Sequence, residues 1–236
     1  MSSFSLNLRK DSVTIHTEVL TNIVKMLAYR NWISDDPVKI KQLIDKLVSN
    51  KNEDYIYTIK LDKSLLDIET YDPYEDKVSW KTNKNTLTGW NNFDGTTIVI
   101  LLFHQTVSGK SPLINEFLAK YSNMHRILII NEISDKARQN IEANKHTEVF
   151  KECEMMMCLV EHVASPDYEL LTPAESDEIC ESYGASLNNL GGIYDFDPAA
   201  RFMYMKRRQV TRIIHKSSVT ALAVSYRVVK HKGYTG

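Results

Sequence analysis

Three clusters in this 236-residue chain carry residue types that could do chemistry. Ser108, Gly109, Lys110 and Ser111 follow an apolar run, the setting in which a glycine-rich turn wraps a phosphate and a lysine meets its charge. Such a loop needs a second glycine five residues before Gly109, so that backbone N–H groups can curl round the anion. His104 stands there, so the stretch reads as an ordinary strand-to-helix turn, and ATP binding is not expected. Cys153, Cys158 and His162 offer thiolate and imidazole ligands for zinc. Their spacing is not that of a paired-cysteine knuckle, and no fourth ligand is evident. The intervening Met155–Val160 reads as a strand, which would throw the ligands onto two faces, so free thiols are expected. Asp62, Asp67, Glu69, Asp72, Glu75, Asp76 and Asp94 could hold magnesium for phosphodiester cleavage. No Pro-Asp step followed by an Asp/Glu-x-Lys pair occurs among them, so they read as a solvated acidic loop. His104, His125 and His215 lie on or beside predicted strands without a spaced Ser, Cys or Asp partner, and read as core or surface histidines. The residues thus predict no catalytic group, no metal and no cofactor.

Charge is the remaining chemical signal. The formal net charge is only −1, which excludes a globally basic nucleic-acid binder, but it hides a segregation. Residues 151–200 hold one lysine and eleven acids, whereas residues 201–236 hold nine lysines or arginines and no acid. Lys206, Arg207, Arg208, Arg212, His215, Lys216 and Arg227 dominate the basic part. Two readings stand: arginines forking onto a partner's carboxylates or phosphates, or a solvated strand face balanced by acids of the same domain. Aromatics for stacking bases are few, Tyr204 and Tyr226, so single-strand binding by this segment alone is not expected.

Elements must position these residues. Val19, Leu20, Ile23, Val24 and Leu27 recur on one face of a helix that stops near Tyr29–Asn31. Ser34, Asp35, Asp36 and Pro37 start a second helix with Ile40, Leu43, Ile44, Leu47 and Val48 on one face. Tyr55–Leu61 reads as a strand, and Asp72–Asp94 as irregular chain. From Thr96 the pattern is β-α-β-α-β: a buried strand at Thr96–Phe103, a helix at Ile114–Tyr121, a strand at Arg126–Asn131, a helix at Ser134–Ala143, and a strand at Met155–Val160. This predicts an α/β N-terminal domain over 1–160, with a mixed sheet and crossover helices.

The rest, 161–236, predicts a small α+β domain. Thr172, Pro173 and Glu175 form a capping box; Ile179, Cys180 and Tyr183 supply a buried stripe; Gly184 ends the helix. Asp197 and Pro198 start a shorter helix through Ala200 and Met203. Gln209–Lys216 and Ala221–Val229 follow as strands, the second with Val224, Tyr226 and Val228 on one side. Three scattered cysteines suit a reducing compartment rather than a disulfide framework. No apolar stretch follows the N-terminus, and none approaches the ~20 residues of a membrane span, so a soluble intracellular protein without a signal peptide is expected.

The order Thr172–Glu175, Ser182–Gly184, Leu190–Ile193, Asp197–Arg201, Met205–Val210, Val210–Ser217 and Ser225–Val228 resembles the C-terminal assembly domain of a family of small RNA polymerase subunits. That family comprises a small assembly subunit of archaeal RNA polymerase and its eukaryotic counterpart, the small subunit shared by the nuclear RNA polymerases. The resemblance covers about the last 70 residues, and the N-terminal organisation looks like the nuclease-like, non-catalytic jaw of the eukaryotic members. It implies a structural polymerase subunit that docks on the largest subunit, joins the other subunits, and projects a jaw toward downstream duplex DNA, with no membrane partner. Asp197, Pro198, Arg201, Lys206, Arg207, Arg208, Arg212, His215, Tyr226 and Arg227 are then the surfaces and supports of assembly, Asp197 as a helix cap and Tyr226 in the core. Gly191 and Gly192 stand where the family usually has proline, loosening a fixed φ. Arg208 stands where the turn usually has glycine, so a different turn geometry is expected. Eukaryotic or viral origin follows, a large DNA virus fitting the divergent positions, with a nuclear location if cellular and cytoplasm or virion if viral. A free-standing nuclease-fold DNA-processing protein and a transcription-factor adaptor that mimics the subunit are the competing readings.

Overall fold

A computed structural model describes residues 12–49, 55–65, 93–107, 111–144, 146–217 and 221–230. The acidic residues from Asp67 to Asp76 and the turn at Ser108–Lys110 lie outside the described residues. Helix α1 (Ser12–Tyr29) and helix α2 (Pro37–Ser49) precede strand β1 (Ile56–Lys60). Strand β2 (Asp94–Val107), helix α3 (Pro112–Lys120), strand β3 (Met124–Ile133), helix α4 (Asp135–Glu142) and strand β4 (Thr147–Lys151) follow. The first sheet runs β1-β2-β3-β4, with β1 antiparallel to β2 and the other two pairs parallel.

Alternation along β2 and β3 explains why this sheet is apolar on both faces. Ile98, Ile100, Ile127 and Ile129 point into one core with α1. Val99, Leu101, Leu128 and Ile130 point into the other with α3 and α4. Each such side chain contributes about 1.5–3 kcal/mol by leaving water.

The expected strand at Met155–Val160 is not there. The third parallel strand is β4, earlier in the chain, where Val149 and Phe150 are buried on opposite faces beside Ile127–Ile130. Residues Glu152–Met155 form a short helix, α5, and turns follow. Thr147, Val149 and Phe150 are β-branched or aromatic; the unbranched Met155–Met157 run suits filling gaps instead. Met155 is buried, and its carbonyl accepts from Asn22 Nδ2 at 2.9 Å, fixing α5 against α1.

The second sheet runs β5-β7-β8-β6, built from β5 (Asp167–Leu170), β6 (Gly191–Tyr194), β7 (Val210–Ser217) and β8 (Ala221–Lys230). Its outer strands β5 and β6 add to the expected hairpin; β5 is antiparallel to β7, and β6 is parallel to β8. Helix α6 (Pro173–Tyr183) has the capping box: Glu175 N donates to Thr172 Oγ1, and Thr172 N donates to Glu175 Oε2 at 2.8 Å. Gly184 ends it at φ 57°. The expected buried stripe is corrected: Tyr183 is 66% exposed, Ile179 and Cys180 are half-buried, and the fully buried residue is Ser176, whose Oγ donates to Thr172 O. Helix α7 (Pro198–Phe202) starts as predicted, with Asp197 Oδ1 accepting from Ala199 N at 2.9 Å. Gly191 and Gly192 form strand rather than loop. A Cβ on Gly192 would lie 2.9 Å from Lys230 Cδ, so the lysine stem lies along β6 and its Nζ reaches Leu190 O.

The two sheets share one core. Ile193, Ala200, Phe202, Met203, Met205 and Val229 are buried in the cluster that contains α1 and the inner face of the first sheet. The opposite face of the second sheet has its own small core, Leu171, Val210 and Val228, under α6. Among the described residues, no helix is long and apolar enough to cross a membrane.

Candidate functional site

The most highly connected polar cluster lies where the two sheets meet. Helix α1 ends with Asn31 at φ 58°, Asn31 N donating to Ala28 O (2.8 Å) and Trp32 N to Leu27 O (3.0 Å). This left-handed stop, which asparagine tolerates, throws Arg30 and Trp32 toward the second sheet. Helix α7 ends the same way: Tyr204 N donates to Arg201 O (3.1 Å), Met205 N to Ala200 O (2.8 Å), and Tyr204 has φ 54°. A tyrosine in that conformation costs roughly 1–2 kcal/mol, an amount the surrounding contacts must offset.

Arg30 fills the gap between the two helix ends. Its Nη1 and Nη2 fork onto both oxygens of Glu148, each at 2.8 Å. Its Nε donates to Phe202 O at 2.8 Å and Nη2 also to Arg201 O at 2.9 Å, so the arginine caps the orphan carbonyls of α7. Trp32 and Tyr204 flank the guanidinium, with ring centroids 4.7 and 5.1 Å from Cζ. His125 Nε2 lies 2.8 Å from Glu148 Oε1. The Arg30 side chain is 1% exposed, His125 0% and Glu148 12%. Burial works to push the Glu148 carboxyl up, but the Arg30 charge and the hydrogen bonds from His125 and Arg30 outweigh it and lower its pKa to about 2.

Arg201 forms a second tie. It reaches Glu154 (3.1 Å) and Glu142 (3.5 Å), donates to Val149 O, and lies over the Phe150 ring at 4.6 Å. Arg138 Nη2 donates to the same Val149 carbonyl at 2.8 Å. Burial raises the Glu142 pKa even beside Arg138.

The other residues singled out in the sequence lie apart from this junction. Pro198 is the first residue of α7. Lys206 Nζ sits 3.8 Å from the Tyr204 ring centroid, and its backbone N donates to Gln209 Oε1. Arg207 pairs with Asp195 at 3.1 Å and is 61% exposed. Arg212 pairs with Glu169 at 2.9 Å and Lys216 with Asp167 at 3.1 Å. Arg227 Nη1 donates to Gly192 O at 3.1 Å, and His215 is exposed on β7. Tyr226 is half-buried against the small core rather than within it, and Val224 on the same side is exposed. Balance by acids of the same half, one of the two readings of the basic segment, thus holds for Arg207, Arg212 and Lys216.

Arg208 corrects one expectation. It has φ 66°, so the turn keeps a left-handed residue instead of changing type, and its N donates to Val229 O at 2.9 Å. Arg208→Gly is expected to raise stability by about 0.5–1 kcal/mol, relief of the left-handed penalty exceeding the extra unfolded-state freedom of glycine. Urea denaturation at unchanged m-value measures it.

Cys153 is exposed and Cys158 buried, and burial raises the Cys158 thiol pKa. Among the described residues no three His, Cys, Asp or Glu side chains converge as a metal site would require.

Comparisons with known proteins place this architecture in a class. The family described as RNA polymerase Rpb5, C-terminal domain, matches residues 157–229, which span the second sheet up to Val229. The chain is 26% identical over 215 residues to "DNA-directed RNA polymerase subunit 5" of Acanthamoeba polyphaga mimivirus, covering 89% of this chain and 90% of that protein. It is 31% identical over 112 residues to "DNA-directed RNA polymerases I, II, and III subunit RPABC1" of Caenorhabditis elegans, covering 45% of this chain and 53% of the other. Over 73 residues it is 30% identical to "DNA-directed RNA polymerase subunit Rpo5" of Methanocaldococcus jannaschii, 31% of this chain but 94% of that protein. These relatives are all DNA-directed RNA polymerase subunits. The chain belongs to their family, that of RNA polymerase subunit 5.

Proposed function

We propose that the chain is a non-catalytic structural subunit of a multisubunit DNA-directed RNA polymerase. Its residues 161–236 dock on the largest subunit, and residues 1–160 form a jaw of nuclease-like fold directed toward downstream duplex DNA. The observation that carries this reading is the match running through nearly the whole of a viral subunit 5, while nearly the whole archaeal relative is matched by only 31% of this chain. A two-part design follows: one part common to the archaeal relative, and a second part added to it. The Arg30 junction supports the same reading, because an added jaw is useful only if its direction is fixed by the part that docks. A viral or eukaryotic setting follows from the relatives, with the cytoplasm or virion as the place of action in the first case and the nucleus in the second.

Within that reading, Asp197, Pro198, Arg201 and Tyr226 support the docking half, while Lys206, Arg207, Arg208, Arg212, His215 and Arg227 face the partner. Reversing the charge of Arg207 and Arg208 together is expected to weaken recovery of the largest subunit and leave the melting temperature of the free chain within a few degrees. Arg207 is exposed and its pair with Asp195 adds little to stability. Assembly that survived the double reversal at high salt would remove the turn from the interface. Mass spectrometry of the native complex held by the tagged chain tests the whole proposal. A stoichiometric polymerase supports it, whereas magnesium-dependent DNA cleavage by the chain alone would favour the free-standing enzyme.

A further inference from the structure

The edges of the two sheets are not treated alike. On the outer strand β4, the carbonyl of Val149 is taken by Arg138 and Arg201. The outer strand β5 carries Asp167 and Glu169, and β1 ends in Lys60. Such charges and caps are how a chain keeps a strand edge from pairing with another chain.

The edge of β8 has none of this. Strand β6 runs beside it only from Arg227 to Lys230. From Ala221 to Ser225, β8 pairs with β7 on one side, and among the described residues no strand lies on the other. These five residues, Ala-Leu-Ala-Val-Ser, hold no charge, no proline and no glycine. Leu222 is 60% exposed and Val224 51%. Apolar residues at alternate positions of an open backbone edge form the surface on which strand addition occurs: main-chain bonds hold the guest, and alternate side chains select it.

We propose that Ala221–Ser225 is a strand-addition site for an extended segment of another polymerase subunit. The guest carries apolar residues at every second position, to lie beside Leu222 and Val224, and acidic residues at its flanks. The charge around the site selects that guest. His215 and Lys216 stand opposite Ala223 and Leu222 on β7, Arg227 follows on β8, and residues 201–236 hold no acid. A second copy of this hairpin would bring its own positive flanks against these, so self-pairing is disfavoured. The lane is already shaped for a strand, because β6 occupies its continuation in regular register. The proposal rests on the chain being a polymerase subunit and adds the place and the mode of contact.

Hydrogen exchange of the full-length tagged chain, free and in the native polymerase, tests it together with the variant Leu222→Lys/Val224→Lys. Both replaced side chains are exposed, so the variant keeps the fold. Amides at alternate positions of 221–225 are expected to slow by on the order of tenfold or more in the complex, as each gains a hydrogen bond out of reach of water. The double variant is expected to lose recovery of the partner subunit. A photo-cross-linking residue at 222 should join one segment of one other subunit. If the wild-type chain recovered no polymerase, the functional reading and the edge proposal would fall together. If it recovered polymerase but exchange at 221–225 were unchanged, or the double variant assembled as well as wild type, only the edge proposal would fall. Cross-linking to a second copy of the chain would overturn the assignment of the guest.

Discussion

Arg30→Met is expected to lower stability by about 3–5 kcal/mol, the cost of leaving a buried carboxylate without its cation. The methionine keeps most of the aliphatic volume between Trp32 and Tyr204, so the loss reports charge and hydrogen bonds rather than a cavity. For a chain of this length the melting temperature should fall by roughly 10 °C. Removing Glu148 as well, in Arg30→Met/Glu148→Gln, should recover part of the loss, because the orphaned charge is gone. Two single changes whose effects simply add would refute the coupling. The acid limb gives an independent readout. The Glu148 pKa is lowered to about 2 in the folded chain, from an ordinary value of 4.5. Stabilisation from this depressed group is full above the unfolded value and is lost as pH falls through the folded one. Wild type should therefore lose stability between about pH 4.5 and pH 2, and Glu148→Gln should flatten that part of the profile.

Phe202→Ala should be as costly, about 3–5 kcal/mol, since a buried phenylalanine leaves both its transfer energy and a cavity. The particular interest lies in where the loss appears. Phe202 is 3% exposed and belongs by sequence to the second sheet's half, yet it is buried in the core of α1 and the first sheet. Amide exchange should accelerate in both sheets together, and thermal unfolding should remain a single transition. Acceleration confined to the second sheet would mean that the halves unfold independently, contrary to the shared core.

Much of the fold was legible because it rests on local signals. The one-face repeat of α1, the capping box at Thr172, the Asp197-Pro198 start and the stop at Gly184 each contain their cause within a few residues. The strand at Thr147–Lys151 was missed for a physical reason: it is five residues long, and the more apolar Met155–Val160 run beside it competes for the same assignment. Strand β6 was hidden by two glycines, which weaken any strand signal but here admit the Lys230 stem. The site was less legible than the fold. Arg30 and Glu148 are 118 residues apart, and nothing near either announces the other. The available hints were a single arginine at the end of an apolar helix, followed by tryptophan, and a glutamate within a β-rich stretch. Conversely, the basic turn that stood out in sequence is partly balanced by Asp195, a pairing that spacing alone could not reveal.

The way Arg30 meets α7 bears on how such a subunit can drift. Its targets there are the carbonyls of Arg201 and Phe202, groups every amino acid possesses. A mutation at either position leaves this half of the contact intact, provided the helix still ends there, whereas few changes at Arg30 would be tolerated. Covariation statistics would accordingly see no coupled pair across this joint, although it holds the two halves in register. Domain grafts from distant relatives should seat or fail according to the helix terminus they bring, and much less according to its side chains.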